Sequence, residues 1–177
     1  MIFVTIGSMF PFDRLIRAMD AWAATSPGEE MLAQIGDGGF EPAHMPWVRK
    51  LDREAYVRTV RGARLLVAHA GMGTVITAAE YGKPVVLLPR QGALGEHNND
   101  HQADTAAWLR TRPGIRVADA EGDLPACIAA ALAGEDAAAG AIGAHAPQAF
   151  LDRIRAFVAG PRPRSDPPGG LSRRRRG

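Results

Sequence analysis

Residues 65–88 read Leu-Leu-Val-Ala-His-Ala-Gly-Met-Gly-Thr-Val-Ile-Thr-Ala-Ala-Glu-Tyr-Gly-Lys-Pro-Val-Val-Leu-Leu. The apolar run at 65–68 reads as a strand buried on both faces, and a second such run follows at 85–88. Between them Gly71 and Gly73 mark a turn, Thr74 opens a helix and caps it, and Gly82 closes it. Strand, glycine turn, helix, strand is the crossover unit of a parallel sheet. Glycines in such a turn let a ligand approach the backbone closely, and the amides and dipole of the helix start favour an anion. The turn is neither a P-loop nor a dinucleotide fingerprint: it holds no Gly-Lys-Ser/Thr, and the Gly-x-x-x-x-Gly spacing is absent.

Seven consecutive polar residues, Glu-His-Asn-Asn-Asp-His-Gln at 96–102, come shortly after the second strand. In open parallel sheets, ligands lie in the crevice beyond the carboxyl ends of the strands. Two adjacent loops therefore offer polar groups to one ligand of nucleotide type. His69, at the end of its strand, is placed to donate to a phosphate or a sugar hydroxyl; the plainer alternative is a packed histidine in a tight turn. The mix of donors and acceptors at 96–102 suits a polyhydroxylated ligand. His97 and His101 stand four apart and raise the question of a metal, but no cysteine or third spaced histidine completes a ligand set, so no metal is expected. Gly7-Ser8 ends an earlier strand and falls on the same edge as His69 and Glu96, or is a simple strand-ending turn.

Outward from this unit, residues 2–6 form an apolar, β-branched strand. Pro11 and Asp13 open a helix carrying Leu15, Ile16, Met19 and Trp22 at helical spacing. Strands follow at 31–35 and at Trp47-Val48, and Asp52 caps a helix that runs to about Arg61. A helix at about 99–110, a strand at 115–117 and helices at 123–132 and 148–158 complete the pattern. The alternation predicts an α/β layer fold with a mostly parallel sheet, in one domain over residues 1–160. Residues 161–177 are rich in Pro, Gly and Arg and form a disordered tail. The tail carries six arginines and one aspartate, a net +5, so the body holds −3 of the overall +2. That distribution argues against a nucleic-acid face on the domain. The tail reads as a solvated end, with attraction to an anionic membrane as the sharper alternative. Cys127 is the only cysteine and sits in an apolar helix pattern, so a small buried side chain and a cytosolic setting are expected. No basic leader and no membrane-spanning run is seen.

The ordered string His-Ala-Gly-Met-Gly-Thr, then Gly-Lys-Pro-Val-Val-Leu-Leu-Pro-Arg, then Gly-Glu-His-Asn-Asn-Asp-His-Gln resembles the C-terminal, UDP-sugar-binding domain of family-28 glycosyltransferases. The opening Ile-Phe-Val-Thr-Ile-Gly-Ser, the Pro-Phe-Asp-Arg-Leu after it and Gln34-Ile35-Gly36 add to the likeness, which covers residues 1–158. It is nearest to the small stand-alone subunits of bacterial exopolysaccharide and capsule assembly, and to their eukaryotic counterpart in dolichol-linked chitobiose synthesis. The resemblance implies a Rossmann-like sheet flanked by helices, one half of a B-type glycosyltransferase fold. It implies a hexosyltransferase that needs no cofactor, with a UDP-sugar as substrate and a polyprenyl-linked saccharide as acceptor. The acceptor half would come from a membrane-anchored partner subunit, holding the protein peripherally at the inner face of the plasma membrane. Position by position, Gly71, Met72, Gly73 and Thr74 fall at the diphosphate, Val48 near the backbone that contacts uracil, and Asp100, His101 and Gln102 at the sugar hydroxyls. Gly7 and Ser8 form the first loop facing the cleft. Relatives carry a ribose-binding glutamate where this chain has Thr77, a weaker contact. His97 and Glu96 are the candidates for the base that deprotonates the acceptor, with a residue of the partner as the alternative. A non-catalytic nucleotide- or phosphosugar-binding module is the rival reading.

Overall fold

A computed structural model describes residues 1–98 and 101–134, the side chains of His101 and Ala103 apart. These residues belong to a compact unit, Met1–Ala144. A second unit, His145–Gly177, lies outside the described residues, and with it the helix expected at 148–158 and the arginine-rich tail.

Six strands form one sheet: β1 (Ile2–Thr5), β2 (Met31–Gln34), β3 (Trp47–Val48), β4 (Leu65–His69), β5 (Val85–Leu88) and β6 (Ile115–Val117). Their order is β3-β2-β1-β4-β5-β6, and every neighbouring pair is parallel. This is the doubly wound order, in which the chain runs outward from the centre first one way and then the other. The reversal falls between β1 and β4, where Thr5 pairs with Ala68, so the loops leaving these two strands diverge and open a crevice.

The helices are α1 (Asp13–Thr25), α2 (Arg53–Gly62), α3 (Met72–Glu80), α4 (His101–Leu109) and α5 (Leu124–Leu132). Alternate strand residues face opposite sides, so the sheet has two cores. On one side Ile2, Val4, Ile6, Leu65 and Val67 pack with Leu15, Ile16 and Met19 of α1 and Ile128 of α5. On the other, Phe3, Leu66, Ala68 and Leu87 pack with Val60, Val75, Ala78, Ala106 and Leu109 from α2, α3 and α4. Burying such side chains stabilises the fold by about 1.5–3 kcal/mol each before chain entropy is counted. Cys127 is half-buried in α5 against the first core.

The helix ends follow local chemistry. Asp52 Oδ1 accepts the Ala55 N–H at 2.8 Å and caps α2, as its sequence position predicts. α3 begins at Met72, two residues before the expected start: Gly71 is the N-cap, with no side-chain capping bond, and Thr74 is the third residue of the helix rather than its cap. At the far end Gly82 (φ 60°) turns the chain, and Lys83 N–H returns to Ala78 O at 2.8 Å.

Candidate functional site

The crevice holds a cavity of about 460 Å³, within the range of small-molecule sites. Four loops line it. The β1–α1 loop supplies Gly7, Ser8, Met9 and Phe10, and the β3–α2 segment supplies Leu51, Arg53 and Tyr56. The β4–α3 turn brings His69, Gly73, Thr74 and Thr77, and the β5–α4 loop brings Arg90, His97 and Gln102, with Gln34 from the end of β2. Among the described lining residues two are arginines and none is acidic, so the cavity favours an anion.

α3 aims its N-terminus here. Met72 and Gly73, its first two residues, have no preceding helical carbonyl for their amides, whereas Thr74 N–H bonds back to Gly71 O at 3.2 Å. Met72 is 40% exposed and is not among the residues lining the cavity, so its bearing on a ligand there is through its backbone N–H. A Cβ at Gly73 would meet nothing within 4 Å, so the space above it is open. Thr74 is buried and hydrogen-bonded to the hydroxyl of Tyr56, whose burial raises its pKa. Thr77 Oγ1 donates to Gly73 O at 2.9 Å and can only accept from a ligand.

His69 is pushed down to about 4 by burial first and then by the positive charge of Arg90, against a pull from the Thr5 carbonyl, with the neighbouring His97 the smallest influence. Its imidazole is therefore neutral at physiological pH, and Nδ1 is buried with no partner in hydrogen-bonding geometry. Arg90 is buried beneath the cavity. Its Nη2 donates to Ile6 O (2.8 Å) and Phe10 O (2.7 Å), tying the β5–α4 loop to the β1–α1 loop. Burial lowers its pKa to about 10, which leaves it charged. Gln102 is buried, and its Oε1 accepts the Arg90 N–H at 3.1 Å, so its Nε2 is the group left to donate to a ligand. Gln34 Nε2 donates to Gly7 O at 3.2 Å, while its Oε1 is buried without a hydrogen-bond partner.

Glu96 departs from the sequence expectation. Its carboxylate takes a two-pronged contact from Arg14, at 2.7 and 2.9 Å, and a third bond from Gln91 N–H at 2.9 Å. It does not line the cavity, and it clasps the β5–α4 loop to α1 rather than standing ready as a base. His97 does line the cavity, edge-on to Phe10 with ring centroids 5.2 Å apart. Val48 sits half-buried in β3 and is not among the residues lining the cavity, where Leu51, Arg53 and Tyr56 form that wall. Gly71 abuts His69 rather than the cavity. Asp100 and the side chain of His101 lie outside the described residues. Sequence reasoning passed over Arg90, Gln34, Arg53 and Tyr56. The usable signal was position: Arg90 and Gln34 stand at the carboxyl ends of buried strands, as His69 does.

The profile of the glycosyltransferase family 28 C-terminal domain matches residues 1–131, and the chain belongs to this family. It is a glycosyltransferase donor-binding domain. Among solved structures, it is similar to the glycosyltransferase of kitacinnamycin (TM-score 0.59, 20% identity, 78% of this chain and 36% of that one). It is also similar to CalG4, the calicheamicin glycosyltransferase (TM-score 0.57, 19% identity, 89% and 43%). A third is the glycosyltransferase SnogD from Streptomyces nogalater (TM-score 0.52, 23% identity, 78% and 36%). These likenesses show the fold: six parallel strands flanked by helices, matching one half of a B-type glycosyltransferase. The chain spans well under half the length of each. No curated protein matches. Among the described residues no helix is long and apolar enough to cross a membrane.

Proposed function

We propose that this domain is the donor-binding, catalytic subunit of a two-subunit inverting glycosyltransferase. It moves a hexose-type sugar from a UDP-sugar to a polyprenyl-diphosphate-linked saccharide in exopolysaccharide assembly, docked on a membrane-anchored partner at the inner face of the plasma membrane. The observation that carries this reading is the cavity itself: an open helix N-terminus, a neutral histidine and a buried arginine converge on one space with no acidic group among the described lining residues. A diphosphate meets the Met72 and Gly73 amides and His69, with the fixed charge of Arg90 behind them. Leu51, Arg53 and Tyr56 then wall the nucleoside end, and Ser8 and Gln102 Nε2 face the sugar.

In the reaction the acceptor oxygen attacks the anomeric carbon while the bond from that carbon to the diphosphate oxygen breaks. The electron pair leaves on UDP, and the acceptor proton passes to a base. Attack opposite the leaving group inverts the anomeric centre. His97 is the cavity residue suited to take the proton, or the partner supplies the base. Glu96, already holding Arg14, is not proposed for it. The cleft needs an opposing wall to exclude water. Met9 and Leu94 on the β1–α1 and β5–α4 connections, exposed to 78% and 58%, and Met72 at the start of α3, exposed to 40%, stand at this end of the sheet and support an opposing lobe there.

The test is reconstitution. The chain alone is expected to bind UDP without transferring sugar, and the chain co-expressed with its membrane-anchored partner to bind membranes and transfer. Robust transfer by the isolated chain overturns the two-subunit reading. UDP-sugar binding without transfer in the full complex favours a regulatory binding module.

A further inference from the structure

Two glycines on different loops are held to the same side chain. Gly71 has extended backbone (φ −96°, ψ 130°), which any residue adopts, so its conformation gives no reason for a glycine. Space does. A Cβ at Gly71 would lie 2.1 Å from His69 Nε2 and 2.7 Å from its Cδ2. Gly7, on the loop after β1, meets the same ring: a Cβ there would lie 2.7 Å from Cε1 and 3.2 Å from Nε2. Gly7 cannot easily retreat, because its N–H donates to Thr5 Oγ1 (3.2 Å) and its carbonyl accepts from Gln34 Nε2 (3.2 Å). Its φ of 76° excludes most side chains as well. Either added methyl group must therefore displace the imidazole from its seat.

We propose that Gly7 and Gly71 are positioning residues that act through His69, seating its imidazole in a single orientation at the cavity. The inference rests on reading the cavity as the donor site, and it changes what the two glycines do there. A seated ring, with Nδ1 buried, keeps Nε2 at one fixed position relative to a ligand. It is also held by burial and by Arg90 and His97 on the β5–α4 side, which oppose its charging more strongly than the Thr5 carbonyl favours it. A ring swung out of this seat regains solvent and titrates near its ordinary 6.5 instead of about 4.

The test uses Gly71→Ala, with two readouts. The first needs no ligand: an NMR titration of the His69 ring. In the wild type the ring stays neutral down to a midpoint of about 4, and in Gly71→Ala the midpoint moves toward 6.5. The second is UDP affinity at neutral pH, expected to fall roughly tenfold in Gly71→Ala and to become pH-dependent through the titration of the freed ring. In a His69→Ala background, Gly71→Ala should add almost nothing, because the obstructing ring is gone. If Gly71→Ala alone does not fold, it should fold in that background, which supports the inference equally. An unmoved ring in Gly71→Ala, additive losses in the double variant, or misfolding in both backgrounds overturns it. Ring displacement in a protein that does not bind UDP would refute the donor site and leave the positioning role standing.

Discussion

At the scale of single residues, burial lowers the pKa of both His69 and Arg90, but it leaves only His69 neutral. The unfolded His69 takes its proton near 6.5 and the folded one near 4, so between these values the unfolded chain holds more protons. Stability is therefore unaffected by this group above 6.5 and falls as pH drops toward 4, by roughly 2–3 kcal/mol. Urea unfolding across that window should show the loss in the wild type and a flatter profile in His69→Gln. Arg90 is held by backbone carbonyls rather than by a facing carboxylate. Arg90→Met leaves the Ile6 and Phe10 carbonyls without their donor and should cost roughly 2–4 kcal/mol in urea unfolding, with loosening of both loops in hydrogen exchange. Gln102→Ala removes the acceptor of the Arg90 amide as well as a sugar-facing donor. It should lower stability by about 1–2 kcal/mol, reduce sugar transfer by the complex, and leave UDP affinity nearly unchanged. An equal loss for UDP alone would place Gln102 at the nucleotide.

At the scale of elements, α3 separates folding from binding. Gly73 is its second residue, with open space where a side chain would go. Gly73→Ala should therefore raise the melting temperature slightly, since alanine favours a helix over glycine by up to about 1 kcal/mol, while weakening the binding of a diphosphate that needs the bare backbone. A rise in both would remove the anion from this helix end. The same element shows what was readable in the chain. Strands β1, β4 and β5 were legible because burial on both faces leaves unbroken apolar runs, and Asp52 was legible because its carboxylate is the cap. The start of α3 was misplaced onto Thr74 because a glycine N-cap has no side chain to announce it. Glu96 read as a free carboxylate because the arginine that occupies it lies 82 residues away in sequence. Arg53 and Tyr56 reach the cavity only once the fold brings α2 to this edge, where Tyr56 bonds Thr74 of α3, a contact that no local pattern encodes.

At the scale of the whole molecule, the doubly wound sheet puts all four lining segments on one edge, and among the described residues nothing walls that edge from the opposite side. If Leu94 borders the partner's lobe, Leu94→Glu should abolish partner association without changing melting temperature or UDP affinity. Retained association would move the interface elsewhere. The central claim, though, is that this edge binds a nucleoside diphosphate at the head of α3. Its most direct test is calorimetric titration of UDP into the wild type and into Gly73→Val, whose branched side chain fills the open space above the helix start. The account predicts binding by the wild type and at least a roughly tenfold weaker affinity in a variant that is still folded. Equal affinity in the two proteins would contradict it.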